Sequence, residues 1–215
     1  MNDALLTPKN AALIIIDYQP IQVSSIGSMD QQLLVDNIVR VAKTGKSYGL
    51  PIVLSTVNVS AGSGKPTIPQ LQEVLTGVEP LDRTTINAWE DDQFVHAVEA
   101  TGRKKLIMTA LWTEACLTFP ALDAMRGGYE VYPVVDAVGG TTVEAHRAAL
   151  ERIVQAGAKP VTWVQLICEL QRDWGRTETL EAFREILFDP SSPVVRNERG
   201  STLSLNALVE SIRKQ

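Results

Sequence analysis

The chain has 215 residues, 45% hydrophobic and 21% charged, enough for one sizeable domain with a true core. Its 25 acidic against 20 basic residues leave a net charge of -5 with no Lys/Arg run, so neither a nucleic-acid partner nor a membrane partner is expected. The longest apolar stretches are too short to span a bilayer, and MNDALLTPKN lacks the layout of a secretory signal, so a cytoplasmic location is expected.

Strand-like and helix-like segments alternate. AALIIID (Ala11 to Asp17) is a continuous apolar run, as in a strand buried on both faces of a parallel sheet. DQQLLVDNIVRVAKTGKSYG follows as an amphipathic helix, with Asp30 as N-cap, Leu33, Leu34, Ile38 and Val41 on one face, and Gly49 and Pro51 as its stop. PIVLSTV is a second strand, NVSAGSGKP a loop, and Ile68 to Leu75 a short helix. DDQFVHAVEATG is a capped helix, KLIMTA a third apolar strand, and TEACLTFPALDAMRGG a further helix.

EVYPVVDA is the next strand, interrupted by Pro133, which removes a ladder donor. TVEAHRAALERIVQAG is a periodic helix capped by Thr142, and KPVTW is a last short strand. Beyond Val164 the chain reads as mainly helical, with a loop at DPSSPVVRNERGS. Repeated strand–helix units of this size imply right-handed crossovers: a three-layer α/β/α, doubly wound, Rossmann-like parallel sheet with helices on both faces. A single domain over 1–215 is expected, with 176–215 as a C-terminal helical extension.

In open α/β sheets, ligands bind beyond the carboxyl ends of the strands. Asp17 ends the first strand, Asp136 ends EVYPVVD, and Cys116 follows the third strand near a helix start. A cysteine there is either a buried inert thiol or a nucleophile whose thiolate the helix dipole favours. Asp17 is either a cap or a base, Arg83 either a surface arginine or a partner for that charge, and Asp136 fits a turn or cap. His96 and His146 read as surface or packed histidines, and Cys168, in VQLICELQ, as a core residue. Trp89 and Trp112 flank the site in sequence and could wall a small apolar pocket; Trp163 and Trp174 fit core packing.

LIIIDYQP, the run TINAWEDDQFVHAVEATGRKKLIMTALWTEACL, and the tail GGYEVYPVVDAVG with EAHRAAL and GAKPVTW together resemble the isochorismatase-like cysteine hydrolases, over about Ala11 to Trp174. INAWEDDQF, FPALDAM and CELQRDW are most similar to the YcaC-type subgroup. The resemblance implies a triad of Asp17, Arg83 and Cys116, with arginine at the family's lysine position. It implies a cis peptide at Trp112–Thr113 and an oxyanion hole from the N–H groups of Thr113 and Cys116. It implies a small-molecule substrate, with Gln19, Asn87, Trp89 and Trp112 as its contacts, and hydrolysis of a C–N bond in an amide or nitrile through a thioester.

Metal-binding nicotinamidases of the superfamily use an Asp-x-His and further histidines, and the matching region here has no histidine. No metal and no cofactor are therefore expected. Relatives in the subgroup form rings, which implies a homo-oligomer, with an octamer as the ring to test. The competing readings are a thiol redox or scavenging protein, which needs a low-pKa Cys116, and a catalytically silent oligomer that has kept the pocket.

Overall fold

The computed structural model describes residues 4–196. The chain divides into two compact units, 1–170 and 171–215. In chain order the first unit holds β1 (Ala11–Ile16), α1 (Pro20–Ser24), α2 (Gln31–Ser47), β2 (Ile52–Val57), α3 (Pro69–Val74), β3 (Leu81–Arg83) and α4 (Asp92–Ala100). It continues with β4 (Lys105–Ala110), α5 (Thr118–Arg126), β5 (Glu130–Pro133), α6 (Val143–Gln155) and α7 (Trp163–Gln171), which ends at the boundary between the units.

The five strands are all parallel, in the order β3-β2-β1-β4-β5, with helices on both faces in a three-layer α/β/α arrangement. All six residues of β1 are fully buried, which accounts for its uninterrupted apolar run. One face, with Ala12, Ile14, Ile16, Leu106 and Met108, packs on Phe94, Val98, Ala121 and Ala124 of α4 and α5. On the other face Gly45 of α2 lets the helix close on β1, since a Cβ there would lie 2.6 Å from Leu13 Cδ2. Chain order reverses direction between β1 and β4, so the crevice of a doubly wound sheet opens at the carboxyl ends of these two strands.

Several local expectations meet the structure directly. The Asp30 carboxylate accepts from Leu33 N–H at 2.8 Å, and the Thr142 hydroxyl from Ala145 N–H at 3.0 Å, capping α2 and α6. Leu34, Ile38 and Val41 are buried, whereas Leu33 is 40% exposed, one position off the stripe. The expected strand KPVTW contracts to one parallel bridge, Val134 to Val161, beside Pro160, which has no N–H to donate. Cys168 is exposed rather than in the core: the buried stripe of α7 is Trp163, Leu166, Ile167 and Leu170, and position 168 lies off it. The strand β3 was not anticipated, because three residues, Leu-Asp-Arg, carry no periodicity.

In the second unit, α8 (Thr177–Leu187) carries Phe183, whose ring meets Trp174 edge-on at 5.1 Å. The Gln171 amide donates to the carbonyls of Asp173 and Arg176 and accepts from Thr179 Oγ1–H at 2.6 Å, tying the turn to α8. Part of the expected 176–215 extension, residues 197–215, lies outside the described residues. No helix of the described residues is long and apolar enough to cross a membrane.

Candidate active site

Asp17 follows the last residue of β1, and its backbone turns there into the left-handed region, with φ at 61°. A short polar side chain tolerates this region better than a bulky one. The turn leaves Asp17 N–H on the Ser55 carbonyl of β2 at 3.0 Å and its carboxylate completely buried. Arg83 is the last residue of β3, two strands away, and reaches back across the end of β2. Its Nη1 and Nη2 donate to Asp17 Oδ1 and Oδ2 at 2.7 and 2.8 Å, a bidentate pair.

Nη1 also donates to Ser55 Oγ at 3.1 Å and the Thr56 carbonyl at 3.0 Å, and Nη2 to the Ile86 carbonyl at 3.3 Å. Burial opposes the charge on Arg83, but the hydrogen bond and charge of Asp17 outweigh it and hold the guanidinium protonated. Ser55 is thus a partner of Arg83 that sequence reading missed; as a serine inside an apolar strand it was the available signal.

Cys116 completes the group. It lies in a single wide helical turn, Thr113–Leu117, in which Leu117 N–H reaches back five residues to the Trp112 carbonyl at 3.2 Å before α5 begins. The thiol is 8% exposed and hydrogen-bonds to Asp17. Burial, then the Asp17 charge and this hydrogen bond, push the thiol up to about 12; Arg83 and the Trp112 N–H, which donates to the sulfur, pull the other way and lose. The resting group is therefore a neutral thiol beside a carboxylate that is already paired, not the dipole-stabilised thiolate that a helix start suggests. The three residues brought together from positions 17, 83 and 116 are those expected from the sequence.

The oxyanion region departs from expectation in two respects. The cis peptide is Leu111–Trp112, one residue earlier than Trp112–Thr113. The Thr113 N–H is not a free donor: it is bonded to the Gly139 carbonyl at 2.9 Å, because parallel pairing continues past β4 as a Leu111 to Gly139 bridge. The Cys116 N–H lies in the first turn, where backbone donors point out of the helix.

Of the expected substrate contacts, Trp112 is half-buried and close to Cys116, with its indole N–H on Ser25 Oγ at 2.7 Å. Gln19 is fully buried and committed to the backbone: its amide donates to the Val57 and Lys65 carbonyls at 3.0 and 2.6 Å and accepts from Val57 N–H at 2.9 Å. It staples the turn after β1 to the loop after β2. Asn87 accepts from Trp89 N–H at 3.1 Å and donates to Asp123 at 2.7 Å, which makes it a cap. Trp89 packs edge-on against Phe94 and Tyr129 at 6.2 and 5.5 Å, against the core cluster that also holds Cys116. Asp136 is a cap as well, accepting from Trp163 N–H at 2.9 Å.

The loop after β2 is held by Asp82, whose carboxylate accepts from Thr56 Oγ1–H and Val59 N–H at 3.0 Å each, and from Ser60 N–H at 2.8 Å. The Ser60 hydroxyl also donates to it. Slight burial pushes this carboxyl up, but the bonds from Ser60, Val59 and Thr56 hold it down at about 2.

Comparison with known proteins places this geometry. The isochorismatase domain model matches residues 11–165. The probable hydrolase YcaC of Escherichia coli (strain K12) is 35% identical over 170 residues, 79% of this chain and 81% of that protein. The solved structure of YcaC from Pseudomonas aeruginosa with hexane-2,5-diol and covalent acrylamide has a TM-score of 0.84 at 30% identity, over 99% of each chain. That of the Escherichia coli YcaC gene product, described as an octameric hydrolase of unknown specificity, has a TM-score of 0.83 at 28% identity, covering 100% of this chain and 98% of that one. The sheet order, the strand-end placement of Asp17 and Cys116 and these matches lead to one assignment: this chain belongs to the isochorismatase family and has the fold of its YcaC-type hydrolases.

Proposed function

We propose that the chain is a cysteine-dependent hydrolase that cleaves the C–N bond of a small amide-type or nitrile-type substrate through a thioester on Cys116. The observation carrying this reading is the buried contact of the Cys116 thiol with an Asp17 carboxylate held bidentately by Arg83. Because the resting thiol is neutral, proton transfer to Asp17 accompanies formation of the S–C bond. The Cys116 N–H, at the positive end of a helix, is the proposed donor to the developing oxyanion.

Asp17 then gives its proton to the leaving nitrogen, the C–N bond breaks, and an amine or ammonia departs. Water attacks the thioester with Asp17 again as base, releasing the carboxylic acid and restoring the thiol. Arg83 keeps Asp17 oriented throughout; as a permanent cation it holds charge and does not carry the proton. In a nitrile, the same thiol adds to the C≡N carbon and the nitrogen takes the proton from Asp17, giving a thioimidate; one water then releases ammonia and leaves the thioester, and a second water releases the acid. Trp112 is the proposed wall of the substrate pocket, with Gln19 shaping its floor by fixing two loops.

The covalent acrylamide on the Pseudomonas relative fits a site where a thiol meets a small amide-bearing electrophile. The raised thiol pKa speaks against a thiolate scavenger, which needs the ionised sulfur at neutral pH. We also propose a homo-oligomer, in line with the octamer of the Escherichia coli relative. The test is a panel of small primary amides and nitriles, read by ammonia release and by intact-protein mass. Ammonia together with an acyl mass on Cys116, both absent in Cys116→Ser, is the expected result. No acylation and no release across the panel, with the fold intact, overturns the reading.

A further inference from the structure

The nucleophile turn is gripped from behind by the segment leading into α6. The Thr113 hydroxyl and His146 Nδ1 lie 2.9 Å apart in a hydrogen bond, and Thr113 is completely buried. Next to it, Glu114 Oε1 accepts from Thr141 N–H and Oγ1–H at 3.0 and 2.6 Å. Glu114 Oε2 is buried with no hydrogen-bond partner among the described residues. Gly140 runs between the two side chains: a Cβ on it would stand 2.7 Å from Glu114 Oε2 and 3.0 Å from His146 Cα and Cβ. Gly140 is in turn held by Gly27 and Ser28, which donate to its carbonyl at 3.1 and 3.2 Å. Neither His146 nor Thr113 belongs to the Asp17, Arg83 and Cys116 group.

We propose that His146 is a positioning residue: as a neutral imidazole it accepts the Thr113 hydroxyl at Nδ1 and so fixes the Thr113–Leu117 turn that presents Cys116 to Asp17. This inference rests on Cys116 being the nucleophile. Two features keep the ring neutral. It sits in the first turn of α6, where the helix dipole disfavours a cation. Burial also lowers its affinity for a proton, and this outweighs the opposing pull of Glu114. Arg147, its neighbour on α6, turns to Glu151 at 3.7 Å. A protonated ring can no longer accept at Nδ1. Acidification therefore breaks the bond between His146 and the Thr113 hydroxyl and loosens the turn.

The experiment is the rate of Cys116 alkylation by iodoacetamide across pH on the full chain, with the exposed Cys168 as the internal reference thiol. His146→Ala and Thr113→Val are each expected to change the Cys116 rate about 3- to 10-fold, the kinetic equivalent of one neutral hydrogen bond. The double variant moves no further than either single one, His146→Asn and Thr113→Ser return to within about 2-fold of wild type, and Cys168 is unaffected. The difference between wild type and His146→Asn appears as pH falls through the imidazole range. Wild-type rates and profiles in all four variants, or additive effects in the double variant, overturn the inference. Asp17→Asn separates the two levels. If it shifts the Cys116 profile while the His146 variants do not, only the positioning role falls; if it too leaves the profile unchanged, the nucleophile assignment falls and this inference with it.

Discussion

The two halves of the site are held by different means. The Asp17–Arg83 half stands on strand ends whose spacing is set by parallel register, with Ile16 opposite Ser55 and Val57 opposite Arg83, and it is locked by a bidentate ion pair without access to water. The Cys116 half stands on a helical turn beyond β4, held by the Leu111 to Gly139 bridge and by part-buried and exposed side-chain bonds to α6 and its approach. The first half is rigid because sheet geometry leaves it no alternative. The second can be adjusted, since its position depends on a few separately removable hydrogen bonds.

The largest effect that would break this comparison is on the rigid half. Asp17→Asn leaves Arg83 charged, buried and without its carboxylate, and should destabilise the fold by about 3 to 5 kcal/mol in urea unfolding. The same change should make Cys116 alkylate at lower pH, since the Asp17 charge raises the thiol and Arg83 lowers it, while abolishing hydrolysis. A variant of wild-type stability would show that the pair is not the anchor of this half.

Next, Gly140→Ala forces a methyl between Glu114 and His146 and should cost about 1 to 3 kcal/mol by overpacking, together with a changed Cys116 rate. Unaltered stability and reactivity would mean that the second half gives way without consequence.

The smallest effect is on alkaline stability. The Cys116 thiol titrates near 12 in the folded chain and near 9.0 when unfolded, so above pH 9 the unfolded state loses a proton that the folded state keeps. Stability is thus complete below the unfolded value and falls as pH rises: wild type should lose about 1 kcal/mol more than Cys116→Ser between pH 9 and 10. Parallel curves for the two proteins would refute the buried neutral thiol.

Much of this was legible in the residues. The apolar run of β1, the caps Asp30 and Thr142, and the strand-end positions of Asp17 and Cys116 follow from local patterning and from where open α/β sheets bind ligands. Asn87 and Trp89 were expected as substrate contacts, but Asn87 accepts from Trp89 N–H as a cap, and Trp89 packs edge-on against Phe94 and Tyr129. His146 read as a packed or surface residue because a helical pattern shows which face a side chain is on and not which loop lies against it. Thr113 N–H looked available because the Leu111 to Gly139 bridge joins segments far apart in sequence.

By itself, then, the sequence determined the alternating α/β order, the buried central strand and the chemical types at positions 17, 83 and 116, since periodicity, capping and resemblance are properties of contiguous residues. Only the tertiary structure decided that the guanidinium of Arg83 crosses β2 to grip both oxygens of Asp17, that burial keeps the Cys116 thiol protonated, and that the Gln19 amide and the Thr113 N–H are taken up by backbone. Each of these depends on distance and on exclusion of water between segments far apart in the chain, and the free energy of a charge or a hydrogen-bonding group is set by those two quantities.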